Sequence, residues 1–301
     1  MTPIRRQSTL CGPAVTAGVE LHGGEHVRIA LNPAPIGSGI VFVRTDVTDR
    51  DNRVVASPSH VTSTRNATTL GNAAGVEVRT VEHLMAALAS VGLDNVEVHL
   101  SGREVPALDG SAEPFLKLIE QVGVCPQEAQ RRYVRVLKRV RVEDGPCYAQ
   151  IAPADRLQLD VSIDFDDAAI GQSRLAIAPD SRSFREDIGS ARTFARMSDV
   201  RALREAGLSL GGSMSNAVVV DGGEVLNPEG LRYSDEFVRH KVLDLMGDLY
   251  LGGPVIGRVR THCGGHALNH ALMTALYADP AAWVFEGGQR VADSPQLATA
   301  S

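Results

Sequence analysis

Near the start of the chain, within residues 15–44, apolar residues recur at about every second place, the period of a strand with one buried face. The alternation predicts strands over about 15–21, 26–31 and 39–44. A polar stretch over 45–69, carrying only short β-branched pieces, reads as a small insertion between larger elements. From residue 81 the period lengthens. Val81, Leu84, Met85, Leu88 and Val91 fall at helical spacing, with Thr80 placed to cap the first turn. A strand over 95–100, the turn-rich segment LDGSAEPF and a helix over about 114–122 complete the first half.

The pattern then restarts. The polar segment PQEAQRR (126–132) reads as a linker. Beyond it, alternation predicts strands over 133–142, 148–151 and 157–165. Residues 190–221 combine a short helix, the turn Leu210-Gly211-Gly212 and a strand over 217–220. A long helix follows over 234–250, then a strand over 254–261 and a helix over about 266–278. Both halves thus run strands, helix, strand, helix. This is a duplication of architecture without a sequence repeat, and it predicts an α+β fold. We expect two domains, 1–126 and 133–286, each a helical layer on a mostly antiparallel sheet with the helices facing each other, and a loose tail over 287–301. Neither half carries a GxGxxG turn or a P-loop after its first strand, which disfavours the nucleotide-cofactor folds.

Composition narrows the class. Of the 301 residues 44% are hydrophobic and 22% charged, as in an ordinary globular protein, and the net charge of −6 gives no general reason to expect a nucleic-acid partner. No stretch approaches the roughly 18 apolar residues of a membrane span, and the first 15 residues lack the apolar run of a signal peptide. Cys11, Cys125, Cys147 and Cys263 are scattered with no CxxC pair, which fits free thiols in a reducing, cytoplasmic setting better than a disulfide frame.

Three segments carry candidate chemistry. In RHKVLD, His240 and Asp244 stand four apart on the long helix and so share a face, a spacing that suits a metal such as zinc. An HxxxD pair is more often a polar stripe on an amphipathic helix. Here Val238, Val242, Leu243, Leu245, Met246 and Leu249 surround it, and a buried histidine and aspartate need a reason. Asp248 lies one turn further on. Glu82-His83, in the first turns of the other predicted helix, reads alone as a helix-start acid beside a core histidine; joined to His240 and Asp244 it supplies a third ligand and a free carboxylate. Three protein ligands leave a fourth position open to water, as hydrolytic zinc sites require. In HCGGHALNH the two glycines turn the chain into a helix that opens on His266. A general acid there needs a carboxylate partner, for which Asp248 is the candidate. His262, Cys263 and His266 form an alternative soft-metal group.

TVEHLMAAL, DEFVRHKVLDLMGDL and GGHALN, together with LDGSAEPF and SARTF, resemble the UDP-3-O-acyl-N-acetylglucosamine deacetylases, the LpxC family of lipid A biosynthesis, over about residues 7–280. The resemblance implies a two-domain β-α-α-β sandwich with the active site between the domains, and an insertion near 193–222 that forms a passage for the acyl chain. It implies Zn2+ held by His83, His240 and Asp244, with Glu82 as general base and His266 as the residue that protonates the leaving amine. It further implies an oxyanion-holding hydroxyl at Thr193, sugar and substrate contacts at Phe194 and Lys241, and Asp248 as the partner of His266. The substrate would be a UDP-linked acylated amino sugar and the protein a monomer. Two positions depart from the family, which often carries lysines where this chain has Cys147 and Cys263; Lys241, Arg260 or His262 would then supply positive charge toward the diphosphate. The rivals are a related amidohydrolase acting on another N-acetyl sugar, and a non-catalytic zinc- or lipid-binding homologue.

Overall fold

A computed structural model describes residues 6–288. Six α-helices are present among them: α1 (Glu82–Val91), α2 (Glu113–Val122), α3 (Ser181–Asp187), α4 (Met197–Glu205), α5 (Glu236–Tyr250) and α6 (His266–Ala278). The α+β reading holds. The alternating segments of the first half become the strands Ala14–Val19, His26–Pro33, Ile40–Arg44 and, beyond α1, Val96–Leu100. With Arg53–Val55 they form a five-stranded sheet in which Val96–Leu100 is central, antiparallel to His26–Pro33 and parallel to Ile40–Arg44.

The second half repeats this plan. Val140–Asp144 and Cys147–Ala152 form a hairpin on one side of Arg258–His262, and Gln158–Asp164 and Gln172–Ile177 form one on the other. Arg258–His262 is central, antiparallel to its first neighbour and parallel to the second, matching the place of Val96–Leu100 in the first sheet. The duplication visible in the order of elements is therefore also one of strand topology. Each half carries a smaller three-stranded sheet at its insertion. One is built from Val61–Ser63, Thr69–Gly71 and Glu77–Val78, the other from Phe194–Arg196, Val218–Asp221 and Glu224–Val225.

The helices lie between the two large sheets. α2 packs on Ala14–Val19, α5 and α6 pack on the strands of the second sheet, and α1 packs on α2 and α5. Burial explains this arrangement, since α1 hides eight of its ten residues and α5 thirteen of its fifteen. Helices with so little exposed surface need partners on both sides, a sheet on one and a helix on the other. The two central helices approach closely because residue 247 has no side chain. A Cβ built on Gly247 would lie 2.0 Å from the Glu82 carbonyl oxygen.

Several expectations need correction. Thr80 does not cap α1; its backbone is left-handed (φ 55°), its hydroxyl donates to Glu104, and the helix begins after Val81. The segment read as a linker is largely strand, because Val124–Gln130 pairs antiparallel with Arg6–Leu10, a strand the alternation did not reveal. That pairing sets Cys125 opposite Thr9 and brings Cys11 and Cys125 into a disulfide, so the four cysteines are not all free thiols. Their 114-residue separation is closed by strand pairing that spacing does not show. The run over 133–142 is two strands in different sheets, Arg132–Val136 and Val140–Asp144, and the run over 254–261 likewise divides at Gly257. Trp283–Gly287 is a strand paired with Arg132–Val136, and the expected tail beyond it, over 289–301, lies outside the described residues.

Replacing Gly247 with alanine is expected to destabilise the protein by about 1–3 kcal/mol, the usual cost of overpacking, because the obstacle is helix backbone that cannot rotate aside. A denaturant midpoint unchanged from wild type would show that the helices separate freely.

Candidate metal centre and acid–base pair

α1 delivers Glu82 and His83 in its first turn, α5 delivers His240, Asp244 and Asp248 at four-residue spacing, and α6 opens on His266. The 3.6-residue period sets the three α5 side chains on one face, turned toward α1. All six side chains are buried or nearly so, in an apolar interior where unpaired polar atoms are costly.

His83, His240 and Asp244 converge, each offering one ligand atom within 4.8 Å of the others. The His240 Nε2 stands 3.2 Å and the His83 Nε2 3.5 Å from Asp244 Oδ1. Ligands held at about 2.0–2.1 Å around a tetrahedral ion lie roughly 3.3–3.4 Å apart, so these separations are the edges of such a polyhedron. The surrounding bonds point the same way. His240 donates through Nδ1 to the Ala191 carbonyl at 3.0 Å, which leaves Nε2 with its lone pair toward the cluster. Lys241 Nζ donates to Asp244 Oδ2 at 2.8 Å, whereas Asp244 Oδ1 is buried without a hydrogen-bond partner. A buried carboxylate oxygen left bare and faced by two imidazole nitrogens suits a cation. Burial opposes its charge, but His240 and Lys241 hold Asp244 well below the usual carboxylate range; burial also pushes His240 down, toward the neutral, ligating form.

Beside this group sits a second one. Asp248 accepts three hydrogen bonds: from Thr68 Oγ1 at 2.6 Å, from Asn269 Nδ2 at 2.8 Å and from His266 Nδ1 at 2.8 Å. With Nδ1 so engaged, His266 turns Nε2 toward Glu82 Oε1, 3.6 Å away. Glu82 Oε2 accepts the Thr68 backbone N–H at 3.1 Å. Burial, with Asp248 and Asp244 nearby, raises the Glu82 carboxyl to about 7 although His266 opposes it. Burial alone would depress His266, but the carboxylates of Asp248 and Glu82 outweigh it and lift the imidazole to about 10.

Sequence reasoning missed Thr68 and Asn269. Thr68 lies in the polar insertion and joins Asp248 from 180 positions away, so no local pattern marks it. Asn269 stands one helical turn after His266, a spacing that does suggest a shared face. Thr193 and Phe194 lie on the wall of a cavity of about 350 Å³ with apolar lining from Leu21, Val200, Leu203 and Met214. The Phe194 ring is 6.3 Å from the His240 ring and 5.4 Å from Lys241 Nζ, which ties the cavity to the cluster. His262 is directed elsewhere, with Nδ1 3.0 Å from Ser162 Oγ, so the alternative soft-metal group does not gather around His266.

The fold and site define an α+β sandwich protein that holds, between its halves, a three-residue group able to bind a metal ion and an adjoining carboxylate–imidazole pair. Residues 7–278 match the family model described as "LpxC: UDP-3-O-acyl N-acetylglycosamine deacetylase". Proteins named UDP-3-O-acyl-N-acetylglucosamine deacetylase are similar over most of their length: one from Phenylobacterium zucineum (strain HLK1) is 49% identical over 92% of this chain and 95% of its own. One from Myxococcus xanthus (strain DK1622) is 47% identical over 92% and 88%, and one from Acidithiobacillus ferrooxidans (strain ATCC 53993 / BNL-5-31) 45% over 93% and 92%. The chain belongs to the LpxC family. Among the described residues no helix is long and apolar enough to cross a membrane.

In the metal-free protein we expect NMR titration to show His266 as an imidazolium up to about pH 10. Asp248→Asn removes the negative charge that favours the protonated ring, so the His266 pKa falls, by roughly one to three. An unchanged titration would mean that Asp248 does not govern the ring.

Proposed function

We propose that this protein hydrolyses the acetamide of UDP-3-O-acyl-N-acetylglucosamine, releasing acetate and the free 2-amino sugar for lipid A biosynthesis. The observation that carries this reading is the Glu82–His266 pair set beside the His83–His240–Asp244 group, two titratable groups whose surroundings push them toward opposite roles. Zinc is the ion we assign to His83, His240 and Asp244, on the strength of two imidazoles and a carboxylate at tetrahedral spacing. When bound, such an ion makes water more acidic and supplies positive charge opposite a developing oxyanion.

The protein's own groups account for the proton transfers. Glu82, with a carboxyl near 7, is ionised enough at neutral pH to take a proton from the attacking water, and basic enough to hold it. His266, raised to about 10, carries its proton at neutral pH. Its Nδ1–H is committed to Asp248, so the proton it gives to the departing nitrogen is the one on Nε2, the edge that faces Glu82. Both groups are raised by their surroundings, and Glu82 stays the lower of the two, which suits it as the base and His266 as the acid. Thr193, on the cavity wall, offers its hydroxyl to the oxyanion. Lys241 and Phe194, adjacent to each other, present a cation and an aromatic face to the substrate. The largely apolar cavity that Phe194 borders, about 350 Å³, suits the acyl chain. We assign the enzyme to the cytoplasm and to a monomeric working form.

Zinc analysis paired with an amine-release assay tests the reading. Wild-type protein is expected to hold one equivalent of zinc and to turn over the UDP-acyl sugar. Glu82→Ala is expected to keep the zinc and lose roughly 10²–10⁴ in rate. Asp244→Ala removes one of three ligands and is expected to lose both metal and activity. Full zinc occupancy without amine release from any acetamido sugar would leave a binding protein, and preference for a plain N-acetyl sugar would move the substrate assignment.

A further inference from the structure

Cys147 and Cys263 take no part in the chemistry above, yet the second sheet sets them side by side. The strand Cys147–Ala152 runs antiparallel to Arg258–His262 with Tyr148 opposite His262, so the next pair outward is Cys147 opposite Cys263. The backbone N–H of Cys263 is directed the other way, donating to the Ser162 carbonyl at 2.9 Å. The Cys147/Cys263 pair is therefore of the non-hydrogen-bonded kind, in which facing Cα atoms stand about 4.5 Å apart and side chains approach most closely. Disulfides span Cα separations of roughly 4.4–6.8 Å, so this position accepts one without moving a strand. Both thiols are free and half-buried. Burial, and after it the neighbouring Cys147, pushes the Cys263 thiol above its usual range. The His262 Nε2 lies 3.6 Å from Cys263 Sγ, close enough to receive its proton.

We propose that Cys147 and Cys263 form a dithiol modification site that exchanges with small-molecule disulfides to give a reversible cross-strand bridge. One thiol, deprotonated, attacks a sulfur of a low-molecular-weight disulfide such as oxidised glutathione, forming a mixed disulfide and releasing one glutathione thiolate. The second thiol then attacks the protein sulfur of that mixed disulfide. This releases the second glutathione and leaves the Cys147–Cys263 bond; two protein thiols are oxidised and one glutathione disulfide is reduced. Cys263 has a left-handed backbone (φ 50°) and begins the glycine turn that leads into α6, three residues ahead of His266. The bridge thus fastens that turn to the neighbouring strand.

The test incubates the intact protein with oxidised glutathione at mildly alkaline pH, traps remaining thiols by alkylation and maps the peptides by mass spectrometry. We expect one new linked peptide joining Cys147 to Cys263, with loss of alkylation at both positions and its return after reduction. The Cys11–Cys125 linkage serves as internal reference. Cys147→Ser is expected to abolish the link and leave Cys263 as a glutathione adduct. Full alkylation of both cysteines after the oxidant, or separate adducts on each in the wild type, would overturn the proposal. The wild-type arm decides even if the variant folds poorly. The readout is covalent and independent of amine release, so its failure is distinguishable from failure of the deacetylase reading.

Discussion

The close contact of α1 with α5 is the constraint on which the rest of the molecule depends. One half of the chain provides Glu82 and His83, the other His240, Asp244 and Asp248, and no group is complete within either half. What lets the two helices meet is the missing side chain at Gly247, directly over the Glu82 carbonyl. The buried faces of both helices supply the driving force, through apolar area removed from water. The absent Cβ sets how near they come. A packing feature of the smallest possible size thereby fixes the distance between a candidate base and the ligands beside it.

Electrostatics in this interior is set by burial and by the partners each charge finds there. Three carboxylates, Glu82, Asp244 and Asp248, lie within one buried region, and each has a different fate. Asp244 is held ionised by His240 and Lys241, Asp248 is saturated by three donors, and Glu82 accepts one backbone N–H and is driven up by burial. The same functional group, a carboxylate, thus stands as ligand candidate, imidazole holder and candidate proton acceptor because its hydrogen-bond partners differ. Thr68 couples two of these roles, its N–H on Glu82 and its hydroxyl on Asp248.

Much of this was legible from residue order. The shift from period two to period 3.6 located α1, α5 and α6 and the large sheets, because long, strongly amphipathic or buried segments carry their pattern locally. His240, Asp244 and Asp248 were readable as one face of one helix, and the glycine turn announced His266. Less was legible where chain continuity misleads. The run over 133–142 alternates without a break, yet its strands belong to separate sheets, and the polar 126–132 segment is mostly strand because its partner lies at residues 6–10.

The sequence by itself determined which residues could act together along a helix and that the chain repeats one architecture, since both follow from periods only a few residues long. The meeting of α1 with α5 was expected from the family resemblance, but tertiary structure alone decided other distant contacts: Thr68 with Asp248, Cys11 with Cys125, and Cys147 with Cys263. The reason is physical. A strand's partner and a helix's neighbour are chosen by the burial and backbone hydrogen bonding of the whole fold, and neither leaves a mark in the local spacing of the residues that end up in contact.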